Sequence, residues 1–242
     1  MIPVELMCDK DGLLYYEDEH LSSRRPLFID KRNLGEDVYY QHMFYPFNST
    51  EDYIIKYCCT IYTRKEVKQI RNMLETLVNK QKNISSVDFP IGYFKQFKKI
   101  AGQIIRYYPN GLSLDNILSN KDLNAFGKYY YHDEDSIHNL FLFLNDVLDI
   151  IYEMYENGIY YTDSNPGNFV LVDNKVKLID FDHRYVKFND KDMNLKYVLS
   201  GYNYLLNAIK KTYELGNQEL CPFKDFEQGK QYVKKMENSL RK

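Results

Sequence analysis

Asp163, Asn168 and Asp180 lie in one stretch, GIYYTDSNPGNFVLVDNKVKLIDFDH, from Gly158 to His183. Each stands at the end of a strand-like apolar run rather than inside it. Pro166 and Gly167 force a turn between Asp163 and Asn168. FVLV and KVKLI flank Asp173-Asn174, a pair suited to a short hairpin turn. When the two runs pair, Asn168 precedes the first strand and Asp180 follows the second, so a hairpin brings them together. Two carboxylates and one amide then converge at one mouth. Such an oxygen set suits magnesium, which prefers carboxylate, amide and water ligands and usually reaches a protein through substrate phosphates. Asp163 is placed to orient an acceptor hydroxyl or to take its proton. For any one of these residues the bland alternative is a polar turn held by Asx hydrogen bonds. All three at this spacing, behind a long capped helix, favour the metal-and-phosphate chemistry.

The elements that must position these residues follow from periodicity. Residues 26–60 read as strands and turns: PLFID, then DVYYQHMFY, then EDYIIKYC. From Thr63 to Asn79, Val67, Ile70, Met73, Leu74, Leu77 and Val78 recur at helical spacing. Thr63 is a natural N-cap, with Glu66 three residues on as in a capping box. FPIGYFKQF and IAGQIIRYY are two further strands, followed by the punctuation PNG and a short helix at LSLDNILSN. A strong helix spans Asp135 to Glu156, with Leu140, Phe143, Leu144, Val147, Leu148 and Ile151 in its apolar stripe. Asn157-Gly158 ends it in the manner of a glycine C-cap. From about Asp190 the chain reads as helices. The sum is an α+β, two-lobed arrangement, with an N-lobe at 1–108 and a C-lobe at 109–242.

Composition bounds the rest. A chain of 242 residues holds two lobes of one domain, or two small domains. The net charge of −2 implies no broad basic field, so nucleic acid is not an expected partner. Cys8, Cys58, Cys59 and Cys221 suit neither a zinc site nor a disulfide framework, which points to reduced thiols and a cytoplasmic location. The opening MIPVELMCDKDG does not read as a signal peptide. The longest apolar run, LFLFLNDVLDII, is broken by Asn145, Asp146 and Asp149 and is too short and polar to span a bilayer. Peripheral membrane contact stays open.

The segment from Gly158 to Asp182 resembles the catalytic and magnesium-binding loops of the protein-kinase-like superfamily. That pattern has an Asp, four residues, an Asn, and later Asp-Phe-Gly. DSNPGN and IDFD look closest to its compact, atypical members: the lipopolysaccharide core (Kdo and heptose) kinases, the aminoglycoside and choline kinases, and minimal bacterial effector kinases. The resemblance implies a two-lobed fold with a small antiparallel-sheet N-lobe and a reduced, mainly helical C-lobe. It implies ATP and magnesium as cofactors, and an acceptor hydroxyl on a glycan or a protein. Asp163 would be catalytic, and Asn168 and Asp180 would hold the metal. YIIK resembles the strand bearing the phosphate-binding lysine, so Lys56 would clamp the α- and β-phosphates. Its ion-pair partner would come from the following helix, where Glu66 and Glu75 are the candidates and Glu66 is preferred. Gly35, in NLGEDVYY, would be what remains of the phosphate-covering turn. Arg106 to Gly111 would be the hinge, where the backbone of Tyr107 and Tyr108 meets adenine.

Departures from the pattern narrow the reading. Tyr161-Thr162 replaces the usual His-Arg, so control by activation-loop phosphorylation is not expected. Asn165 stands where typical protein kinases carry lysine. Asp182 replaces the glycine of Asp-Phe-Gly, which disfavours a glycine-driven flip. Only a handful of residues separate Asp182 from Asp192, and no Ala-Pro-Glu motif occurs, so a full peptide-docking platform has no room. A sugar or glycan acceptor is therefore favoured, with Asn165, Tyr161 and His183 as candidate lining; the bland alternative is that His183 caps the loop and Tyr161 packs in the core. A compact atypical serine/threonine protein kinase is the alternative, and a catalytically inactive kinase-like binding module is the rival of another class.

Overall fold

The computed structural model describes residues 7–11, 13–18, 36–37, 42–46, 53–58, 62–96, 99–108, 110–129, 135–188, 191–214 and 223–240. The expected strand PLFID and the turn at Gly35 lie outside these. Two compact units divide the chain: Met1–Lys82 with Asp88–Pro109, and Asn83–Val87 with Asn110–Lys242. The division differs from one at 108/109 chiefly in the short segment Asn83–Val87. There the backbone N–H of Ser85 donates to Glu153 Oε1 at 3.3 Å, and the Ser86 hydroxyl bonds the same carboxylate.

The first unit is a sheet with one helix. Its strands are β1 (Met7–Cys8), β2 (Leu14–Asp18), β3 (Glu36–Asp37), β4 (His42–Pro46), β5 (Tyr53–Cys58), β6 (Gly92–Gln96) and β7 (Lys99–Arg106). They run in the spatial order β1-β2-β6-β7-β5-β4-β3. Every neighbouring pair is antiparallel except β2 and β6, which are parallel. Gly92 opens β6 because nothing larger fits: a Cβ there would lie 2.0 Å from the Leu14 carbonyl oxygen.

Helix α1 (Arg64–Lys80) follows β5 and begins as the capping box demands. The Glu66 N–H donates to Thr63 Oγ1 at 3.2 Å, and the Thr63 N–H donates to Glu66 Oε2 at 2.7 Å. Ile70, Met73, Leu74 and Leu77 form its buried stripe. Each such side chain contributes about 1.5–3 kcal/mol on leaving water. Arg71 fastens α1 to the start of the chain through Asp9 at 2.8 Å, with Glu75 at 2.9 Å on its own helix.

The second unit is mainly helical. It contains β8 (Leu112–Ser113), α2 (Leu114–Asn120), α3 (Asn124–Tyr129), α4 (Ser136–Glu156), β9 (Ile159–Tyr161), β10 (Phe169–Val172), β11 (Lys175–Leu178), β12 (Val186–Phe188), α5 (Lys191–Tyr213) and α6 (Phe226–Leu240). Helix α4 is its centre. Asp135 caps it by accepting the N–H groups of Ile137 and His138 at 2.9 and 3.1 Å. Phe143, Leu144, Val147 and Leu148 are fully buried. The Tyr202 hydroxyl of α5 donates to the Leu144 carbonyl at 2.8 Å, and Lys230 of α6 pairs with Asp149 at 2.6 Å. Asn157 closes α4, and Gly158 follows with φ 69°.

Two small sheets complete this unit. β10 pairs with β11 and β8, and β9 pairs with β12, all antiparallel. The β10–β11 turn is Asp173-Asn174, with φ of 49° and 59°. Two successive positive φ values match the right-handed twist of a two-residue hairpin, which is why Asp and Asn suit it.

Candidate active site

The site in the second unit is built on backbone that leaves little freedom. β9 and β12 pair at Tyr161 and Val186, and the Thr162 N–H donates to the Tyr185 carbonyl at 3.0 Å. That fixes the chain just before Asp163. Asn165 then caps the tight turn Pro166–Asn168, its Oδ1 accepting the Gly167 N–H at 3.0 Å. From the other side, α5 approaches closely at Gly201. A Cβ there would meet Ser164 Oγ at 3.0 Å and the Thr162 carbonyl oxygen at 3.1 Å.

The hairpin does what its sequence implies. Phe169 pairs with Leu178, and one step further the Ile179 N–H donates to the Asn168 carbonyl at 2.8 Å. Asn168 therefore stands across from Ile179, and Asp180 is the next residue. Asp180 has φ 67°, left-handed backbone that costs a residue with a Cβ about 1–2 kcal/mol. Strain of this kind persists where surrounding structure imposes it, and it gathers at functional sites.

Asn168 is buried, and its amide has a fixed sense. Nδ2 donates to the Tyr161 phenol oxygen at 2.8 Å and to the Asp163 carbonyl oxygen at 3.0 Å. A carbonyl can only accept, so the nitrogen must face it and Oδ1 must point the other way. The Tyr161 hydroxyl in turn donates to the Asp180 carbonyl at 3.3 Å. One phenol thus touches both residues on which the metal-binding expectation rests.

Tyr161 is wholly buried, and its ring packs on Phe181 at 5.4 Å between centroids. Burial pushes its phenol well above the ordinary tyrosine range, and the carboxylates of Asp163 and Asp180 push it further. The hydrogen bond from Asn168 acts against them, and Asp182 adds to the rise. The phenol keeps its proton.

Burial removes Tyr161 from any acceptor-lining role and assigns it to orienting Asn168. His183 is likewise enclosed, its side chain 6% exposed and its Nδ1 3.3 Å from Asp182 Oδ1. Of the three residues expected to line the acceptor, Asn165 alone is exposed. Asp182 is held by Arg184, whose Nε and Nη2 donate to its two oxygens at 2.9 and 2.6 Å. The Arg184 N–H adds a third bond at 2.9 Å. A planar guanidinium fork on a carboxylate is a stiff local brace, so the loop after Phe181 is held without a glycine. Sequence reasoning missed Tyr161 and Arg184 in these roles. The signal available was a hydrogen-bonding aromatic two residues before Asp163, and an arginine two residues after Asp182.

The first unit holds the remaining expected residues. Lys56 lies on β5, opposite Phe44 of β4 and Gln103 of β7, and is 4% exposed. Glu66 Oε2 accepts from both the backbone and the hydroxyl of Thr63, each at 2.7 Å. Glu75 is engaged with Arg71. Tyr107 and Tyr108 follow β7, and the Tyr108 hydroxyl bonds Asp88. Burial, and then that bond, raise the Tyr108 phenol above its usual range. Gly35 lies outside the described residues.

Among the described residues no group of three or more His, Cys, Asp or Glu is placed to hold a metal ion. The donors at the hairpin mouth, an amide oxygen and carboxylates, fit magnesium instead, which takes few protein ligands and completes its octahedron with water and phosphate. Among the described residues no helix is long and apolar enough to cross a membrane.

No family model matches the chain, and no curated protein does. Solved structures similar to it include a Stt7 homolog from Micromonas algae, in crystals soaked with ATP, at TM-score 0.48 and 13% identity. That match covers 63% of this chain and 48% of the other. Another is the Legionella pneumophila Lpg2603 kinase bound to IP6, at TM-score 0.44 and 14% identity, covering 75% of this chain and 58% of that one. The chain thus spans about half the length of the solved proteins it matches. A sheet carries a buried lysine on the strand before its helix, and a mainly helical unit carries a long helix, a polar loop and a hairpin.

Proposed function

We propose that this chain is an ATP- and magnesium-dependent phosphotransferase that moves the γ-phosphate of ATP to an acceptor hydroxyl. The observation that carries the reading is the backbone bond from Ile179 to Asn168, which sets an oriented amide beside the left-handed Asp180. Asn168 Oδ1 and the Asp180 carboxylate would hold magnesium. When bound, the ion supplies charge neutralisation on the phosphate oxygens. Lys56 would clamp the α- and β-phosphates. Glu66 is the preferred counter-charge for it, although its Oε2 also closes the capping box with Thr63, and Glu75 serves Arg71. Gly35 would cover the phosphates, and the backbone at Tyr107 and Tyr108 would meet adenine.

Asp163 orients the acceptor hydroxyl and accepts its proton as the new oxygen–phosphorus bond forms. The bond between the γ-phosphorus and the bridging oxygen breaks, and its electron pair leaves with ADP. Positioning supplies much of the rate. The acceptor in this proposal is a sugar or glycan. In support, only eight residues separate Asp182 from the start of α5 at Lys191, and β12 takes three of them into its pairing with β9. An extended peptide needs a longer ledge than that. Reduced thiols make the cytoplasm the proposed location.

Transfer from labelled ATP to a sugar panel and to a protein lysate, with Asp163→Asn as the blank, tests the reading. Sugar labelling that the blank lacks supports it. Site-specific labelling of a folded protein with no sugar turnover would leave the compact protein kinase in its place.

A further inference from the structure

Gln103, in the middle of β7, is a polar side chain enclosed within the first unit. It is 4% exposed, and its Oε1 has no hydrogen-bond partner among the described residues. Buried acceptors are bonded with few exceptions, and each exception calls for a physical reason. Lys56 on β5 and Tyr93 on β6 stand directly opposite Gln103, one on either side. Residues opposite one another on antiparallel strands share a face, with Cβ atoms about 4.5–5.5 Å apart. Lys56, Gln103 and Tyr93 therefore make one row across three strands. Arg71 of α1 lies 6.0 Å from the centre of the Tyr93 ring, which puts the row on the α1 side of the sheet.

Its neighbours in the row differ in what they can donate. The Tyr93 hydroxyl is committed to Asp9 Oδ2 at 2.7 Å. Ile105, the next β7 residue on that face, has no side-chain donor. Lys56 is as buried as Gln103, at 4% exposure. It has an interaction of its own, and its ammonium carries three donors. A carboxamide turns its oxygen to an ammonium, because its nitrogen can only donate. A lysine stem is long and flexible, so a further fixed partner decides where its other donors point. A neutral acceptor does this without cancelling the charge, as a second carboxylate would.

We propose that Gln103 is a positioning residue for Lys56. When Lys56 clamps the nucleotide, its phosphates and the counter-charge take two ammonium donors, and Gln103 Oε1 accepts the third. The inference rests on the reading of Lys56 as the phosphate clamp. ATP binding to the full chain in magnesium is measured by calorimetry for wild type, Gln103→Met, Lys56→Met and the double variant. Methionine keeps the length and removes the acceptor, so Gln103→Met should melt at or above the wild-type temperature. Its ATP affinity should fall about tenfold, the scale of a charge-assisted hydrogen bond. Lys56→Met should lose more. The double variant should bind no worse than Lys56→Met, because the acceptor then has no ammonium to aim. In the wild-type chain, where no variant need fold, the Gln103 side-chain carbonyl carbon signal should shift on adding ATP and magnesium. Wild type binding no ATP, or Lys56→Met binding it as wild type does, would remove the clamp and this inference together. Beside a weakened Lys56→Met, wild-type affinity in Gln103→Met, losses that add in the double variant, or a Gln103 carbonyl that does not move would each overturn the inference alone.

Discussion

Asn168 Nδ2 lies 2.8 Å from the phenol oxygen of Tyr161, and that phenol lies 3.3 Å from the Asp180 carbonyl. One buried hydroxyl therefore ties the amide to the backbone of the carboxylate that should share its metal. Tyr161→Phe removes the hydroxyl and keeps the ring against Phe181. The amide then has one acceptor where it had two, and it gains freedom to turn. Transfer should fall about threefold to thirtyfold, the range for one buried hydrogen bond. The loss should appear mainly as a weaker apparent affinity for magnesium, measured by titrating the ion at saturating ATP. A purely structural phenol would instead lower the melting temperature and leave that affinity unchanged.

Asp180 tests strain and chemistry separately. Asp180→Ala and Asp180→Gly both lose the carboxylate, so both should lack transfer. They should differ in stability, because glycine takes φ 67° without the Cβ penalty. Denaturant melts should place Asp180→Gly above Asp180→Ala by about 1 kcal/mol. Equal stability would mean that the loop relaxes away from left-handed backbone once the carboxylate is gone.

Gly201→Ala should reach Asp163 from behind. The new Cβ would press on Ser164 Oγ and the Thr162 carbonyl, both within 3.1 Å. Overpacking of this kind costs about 1–3 kcal/mol. A thermal melt should show that loss. Transfer assayed well below the melting temperature should fall as well, because the displaced atoms flank Asp163.

How much of this was legible in the sequence depends on how local each feature is. The α1 capping box needs only Thr63 and Glu66, three residues apart, and it forms as read. The Asp173-Asn174 turn is equally local. Strands β1 and β2 were not legible. β1 pairs with β2, and β2 joins β6 in parallel over a separation that no short pattern reveals. The β9–β12 pair was missed for the same reason: IYY and VKF carry too few residues to show alternation. The hairpin placed Asn168 beside Asp180 from sequence alone, but the burial of Tyr161 and His183 is tertiary.

Asp9 gives the first unit an acid-sensitive joint. Burial works to raise its carboxyl, but bonds from Tyr93, the Leu13 and Asp11 N–H groups, and the Arg71 charge outweigh it. The folded value ends below the ordinary 3.8. A depressed carboxyl lends stability above its unfolded value, and loses it as pH falls toward and through the folded one. Urea melts at neutral pH and below pH about 4 should show a smaller acid-induced loss for Asp9→Asn than for wild type. Parallel losses in the two proteins would show that Asp9 adds nothing to acid sensitivity.

The central claim is that Asp163, Asn168 and Asp180 together make a phosphotransfer site. The most direct measurement is transfer of labelled γ-phosphate by the full chain in magnesium, run beside Asp163→Asn and Asp180→Ala. Wild type should label an acceptor, and Asp163→Asn should lose about two to four orders of magnitude with ATP affinity nearly unchanged. Asp180→Ala should be inactive. Turnover by Asp180→Ala at the wild-type rate, or no transfer by wild type to any sugar or protein acceptor, would contradict the account.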